Sequence, residues 1–159
     1  MDQDVRGMLD GQGRRFAVVW SRFNHEVTEL LRKAAVATLH KHGVAPRDVE
    51  VCSVPGAFEL PLTCAWLART GRFHGVIALG AVIRGETNHY DYVCAQAARG
   101  VLDAGMDSDV PVAFGVLTCD TDAQAMDRAG GRHGNKGADA AEVALEMASL
   151  RETLLRRPP

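Results

Sequence analysis

No run of lysine and arginine in the 159 residues resembles a nucleic-acid footprint, and the formal charge is −2. A nucleic-acid surface needs clustered cations, so DNA and RNA are not expected partners. No apolar stretch approaches the ~20 residues of a membrane-spanning helix, and the start, Met1-Asp2-Gln3-Asp4-Val5-Arg6-Gly7, lacks the basic and apolar segments of a secretory signal. The expected setting is the cytoplasm, with no membrane partner. The cysteines Cys52, Cys64, Cys94 and Cys119 form no Cys-x-x-Cys pair and read as reduced packing thiols, not as disulfides or a metal site. No Gly-x-Gly-x-x-Gly follows the first apolar run and no Walker loop occurs, which disfavours dinucleotides and nucleoside triphosphates. Neither a Gly-x-Ser-x-Gly elbow nor His-Glu-x-x-His is present, so nucleophilic hydrolysis and zinc catalysis lose their usual supports.

What remains is a chain that is 47% hydrophobic and 24% charged, without repeat or linker, as suits one domain with a proper core. Residues 1–13 hold three glycines and little apolar content and read as an arm, mobile unless a neighbouring chain orders it; residues 14–159 read as the domain. Four apolar runs, Phe16–Trp20, Val49–Val54, Val76–Ile83 and Val112–Thr118, alternate with helical patterns. The third is continuous, as expected of a parallel strand covered on both faces. The expectation is an α/β three-layer sandwich, a four-stranded parallel sheet between helices. Right-handed crossovers would bring Phe23, Gly56 to Glu59, Ala81 to His89 and Thr118 to Asp120 to one cleft. On the last helix, Val143, Met147, Leu150 and Leu154 make one apolar face.

The stretch Gly75 to Tyr92 organises the chain: buried strand, polar turn, helix. Arg84, Gly85, Glu86, Thr87, Asn88 and His89 fall at a strand's carboxyl end, where open α/β sheets bind ligands. Thr87 or Asn88 can cap the helix, as Asn24 can cap the first one. Free amides at that start suit a phosphate or carboxylate, and His89 can exchange protons near neutral pH. Phe23 is either a hydrophobic staple on Val27 or a platform for a flat ligand. Glu59 complements a helix dipole or serves a site. Arg128 is a surface cation interacting with a helix dipole or a phosphate fork, and Lys136 is a solvated or a catalytic cation. These residues alone describe a phosphate-binding α/β enzyme that uses histidine.

The segment Ala81-Val-Ile-Arg-Gly-Glu-Thr-Asn-His-Tyr-Asp-Tyr-Val93 resembles the lumazine synthase family, and so do Ser21–Asn24, Val54–Pro61, Phe114–Thr118, Asp127–Gly130 and Gly134–Gly137, in the family's order and spacing. Asn88 stands where that family more often has proline or another small residue. The resemblance implies a flavodoxin-like fold and the condensation of 5-amino-6-ribitylaminouracil with 3,4-dihydroxy-2-butanone 4-phosphate to 6,7-dimethyl-8-ribityllumazine, without cofactor or metal. It implies that Phe23 stacks on the pyrimidine, that Ala57, Phe58 and Glu59 hold the ribityl chain, and that Ala81, Val82 and Ile83 meet the ring through backbone. Glu86 and Thr87 would cradle the phosphate with Arg128, the Glu86 carboxylate turned away, and His89 would transfer protons. Phe114, Arg128 and Lys136 would come from an adjacent subunit of a pentamer, twelve of which make a 60-subunit shell. The arm would lend a strand to a neighbour's sheet. A riboflavin-synthase-like enzyme and a non-catalytic, flavin-binding shell protein are the alternatives.

Overall fold

Along the first and third apolar runs, successive side chains enter opposite cores, as strand geometry requires. Phe16, Val18, Ile77, Leu79 and Ala81 face one core, whereas Ala17, Val19, Val76 and Ala78 face the other. Both sides of these strands are therefore apolar. The computed structural model describes residues 3–156, so residues 1 and 2 of the expected arm and 157–159 of the expected domain lie outside it.

The elements run β1 (Phe16–Ser21), α1 (His25–Lys41), a 3-10 turn (Pro46–Asp48), β2 (Val49–Val54), a second 3-10 turn (Ala57–Glu59), α2 (Leu60–Arg69), β3 (Gly75–Ile83), α3 (His89–Ser108), β4 (Val112–Cys119), α4 (Asp122–Asp127), a small hairpin of β5 (Ala129–Gly131) and β6 (Gly134–Asn135), and α5 (Lys136–Arg156). The sheet order is β2-β1-β3-β4, with all pairs parallel; Val19 pairs with Cys52 and Ala78, and Leu79 with Gly115. Helices α1 and α5 pack together on one face and α2 and α3 on the other, giving the flavodoxin-like three-layer sandwich. From β1 the chain turns outward to β2 and then crosses back to β3. The topological switch point therefore lies between the carboxyl ends of β1 and β3.

The differences from expectation have local causes. The glycine-rich stretch after α4 folds into the β5–β6 hairpin, where Gly130 has φ 111°. Asn24 sits at the start of α1 but makes no side-chain cap; its Nδ2 donates to Ala81 O instead. Asn88 likewise makes no side-chain cap for α3. The apolar face of α5 points outward, with Val143 and Leu154 each 51% exposed. Its inward face is Gly137, Ala140, Ala141, Ala144, Leu145 and Ala148, because α5 lies so close to α1 and the sheet that small residues are what fit. Residues 3–12 form neither strand nor helix but follow the protein's own surface: Met8 N donates to Ser149 Oγ at 3.0 Å and Gly11 N to His42 O at 2.8 Å.

Candidate active site

The three strand-end loops around the switch point enclose a cleft of about 630 Å³. After β1, Arg22 N donates to Val54 O (2.8 Å) and Phe23 N to Pro55 O (3.0 Å), so this loop is stitched to the end of β2. That pairing turns Phe23 away from the core: it is 71% exposed while Val27 is buried, which rules out the staple. After β2, the Glu59 Oε2 accepts from Gly56 N at 3.0 Å and closes the turn that presents Ala57 and Phe58. Glu59 thus braces a loop, a more specific task than complementing a helix dipole.

The end of β3, Ala81 to Ile83, forms the third wall, and Gly85, Thr87 and His89 continue it. Among the described residues, the amides of 85–88 have no protein acceptor, while His89 N reaches Thr87 Oγ1 only at 3.4 Å. Donors that the fold leaves free at a helix start form a receptor for an anion. The His89 side chain is exposed in the cleft beside them. Glu86 is exposed and does not line the cleft.

Four expected site residues lie elsewhere or lack cleft contact: Glu86, Phe114, Arg128 and Lys136. The last three surround a second hollow of about 380 Å³ against β4 and α5. There Arg128 Nη1 donates to Gln124 O (3.0 Å) and Lys136 Nζ to Asp139 Oδ2 (3.0 Å). Thr118 and Cys119 also border this hollow, so the expected single cleft is in fact two. β4 is one of the sheet's two edge strands, and beyond the loop at Asp120 the chain packs β5 against α1 and α5.

Sequence reasoning missed Asn24, Tyr90, Tyr92 and Val93 as cleft residues. For the last two the signal was available: positions three and four beyond His89 share its helix face. Burial pushes the Tyr90 phenol above its ordinary range. Arg84, beside it, bridges to Asp120 and Asp91. The four cysteines are free thiols, and burial pushes Cys64 up to about 12. Among the described residues no cluster of three or more His, Cys, Asp or Glu is placed to hold a metal ion, and no helix is long and apolar enough to cross a membrane.

Fold and site together define a flavodoxin-like α/β protein with an aromatic-rimmed cleft at its switch point, where the amides of 85–88 have no protein acceptor among the described residues. A sequence model of the 6,7-dimethyl-8-ribityllumazine synthase family matches residues 13–152, and the chain belongs to that family. Over 149 residues it is 51% identical to a protein of Arabidopsis thaliana named 6,7-dimethyl-8-ribityllumazine synthase, chloroplastic. The match covers 94% of this chain and 66% of the relative, so the chain spans about two thirds of that protein's length.

Proposed function

We propose that this protein condenses 5-amino-6-(D-ribitylamino)uracil with 3,4-dihydroxy-2-butanone 4-phosphate to 6,7-dimethyl-8-ribityllumazine, releasing phosphate and water, the penultimate step of riboflavin biosynthesis. The observation that carries this reading is the cleft itself, where exposed His89 adjoins free helix-start amides opposite exposed Phe23. Family membership supplies the substrates.

The aromatic residue Phe23 takes the face of the pyrimidine, the Ala57–Glu59 turn the ribityl chain, and the β3 backbone at Ala81, Val82 and Ile83 the ring edge. The phosphate sits on the amides around Glu86 and Thr87, with the exposed Glu86 carboxylate directed to solvent. His89 moves the protons of imine formation, elimination and ring closure, the work of a positioned general acid and base. Much of the acceleration comes from holding two small molecules in register.

Phe114, Arg128 and Lys136 complete a neighbour's cleft, a reading supported by their grouping on a separate hollow. The active site then lies between copies in a pentamer, and the turn Gly130 to Gly137 resembles the uninterrupted version of shell-forming family members, which supports assembly of twelve pentamers into a 60-subunit shell. Residues 14–159 form the catalytic domain, and the arm through residue 13 adds a strand to a neighbour when the copies assemble. A cytoplasmic setting fits four free thiols.

Purified protein mixed with both substrates, without metal or nucleotide, tests the assignment by absorbance and fluorescence. Lumazine should appear. Correctly assembled protein that yields none would sink the assignment, and lumazine alone converting to riboflavin would indicate the synthase of the next step.

A further inference from the structure

The turn that carries His89 is held chiefly by the side chain just ahead of it. Arg84 directly follows β3, and its N–H donates to Cys119 O at 2.9 Å, anchoring its backbone to the end of β4. Its guanidinium lies 4.2 Å over the Tyr90 ring. Its Nε donates to Asp120 Oδ1 at 2.8 Å, and its Nη1 is 3.5 Å from Asp91 Oδ1. One planar group therefore joins the β4–α4 loop to the first turn of α3, where Tyr90 and Asp91 directly follow His89. The turn it spans has little bonding of its own, since the amides of 85–88 are free among the described residues. Such a turn receives an anion well only when something else fixes it, because ordering it during binding would weaken binding.

We propose that Arg84 is a positioning residue for the condensation assigned above, and the inference rests on that assignment. Arg84 locks the start of α3 to Asp120, which holds His89 and the free amides in one geometry. It is not a phosphate ligand: Asp91 and Asp120 already oppose its charge, and it does not line the cleft. Lysine cannot replace it, because an ammonium cannot stack on Tyr90 while reaching two carboxylates.

The test is steady-state kinetics of Arg84→Ala, Asp120→Ala, Asp120→Asn and the Arg84→Ala/Asp120→Ala double variant, with assembly checked by light scattering. Arg84→Ala and Asp120→Ala should each lower kcat about tenfold and raise the KM of the butanone phosphate about threefold to tenfold, while the KM of the uracil stays within about twofold. Asp120→Asn keeps an oxygen that accepts from Nε and should recover most of the rate. The double variant should be no slower than the slower single one, as for two ends of one contact. Unchanged kinetics, multiplicative losses, or a rise confined to the KM of the butanone phosphate with kcat unchanged would each overturn the inference. A wild-type protein that forms no lumazine removes the assignment and this inference together. An active wild type with an unaffected Arg84→Ala removes the inference alone.

Discussion

Asn24 Nδ2 donates to the Ala81 carbonyl at 2.8 Å, joining the ends of the two central strands across the crevice at the switch point. Asn24 holds this position from the left-handed region, φ 59° and ψ 43°, which asparagine tolerates better than most side chains. Asn24→Ala loses the bond and keeps a Cβ in a strained conformation, so it should cost about 1–3 kcal/mol. Asn24→Gly loses the bond but relieves the strain, and should cost less. Urea unfolding of the two variants checks this; equal losses would assign the whole effect to the hydrogen bond.

Gly137 begins the inward face of α5 against the backbone of α1, and a Cβ there would collide with the Leu31 carbonyl. Neither helix can yield without disturbing the core that both share. Gly137→Ala should therefore lower stability by about 1–3 kcal/mol. At Gly85 an added methyl meets nothing within 4 Å, and Gly85→Ala should stay within about 0.5 kcal/mol. Similar unfolding midpoints for the two variants would contradict the close approach.

Four strands were legible because their apolar runs are short, bounded by turn residues and dense in β-branched side chains. The crossovers then followed from handedness. The orientation of α5 was not legible: helical periodicity marks a face but not its direction, and here the larger side chains Val143, Met147 and Leu154 lie outside while alanines pack inside. Asn24 looked like a cap because its identity is right for one, yet a carbonyl brought near by β3 competes for its amide. The loop after β4 was assigned to the common cleft by topology alone. Beyond that loop the chain packs β5 against α1 and α5, in a hairpin that a glycine-rich stretch does not announce.

His89 and Arg128 occupy different hollows of one chain, so their substitutions should separate kinetically. His89→Ala should lower kcat about tenfold to a hundredfold with assembly intact, the modest end for a proton-transfer group because substrate positioning is retained. Arg128→Ala should raise KM for the butanone phosphate and leave that for the uracil nearly unchanged. Equal rises in both would count against the phosphate role. Co-assembling the two impaired variants supplies a further check: if sites form between copies, mixed assemblies contain some clefts with both native residues and exceed the activity of either variant alone.

The Glu152 carboxylate is bound by Arg14 through Nε at 3.2 Å and Nη2 at 2.9 Å, tying the segment before β1 to the last turns of α5. The Arg14 hydrogen bonds hold Glu152 below its ordinary value of 4.5, with Arg156 and His74 adding smaller attractions. A carboxylate with a depressed folded pKa stabilises the fold above its unfolded value, and that contribution disappears as pH falls through the folded value. Glu152→Gln removes the titration but preserves the shape. The stability gap between wild type and Glu152→Gln should be full at about pH 6 and narrow steadily below the ordinary carboxylate range. Urea midpoints at several pH values, compared at one protomer concentration because assembly itself stabilises, would show it. A gap that stays constant to acid pH would mean that Arg14 and Glu152 contribute through packing and not through charge.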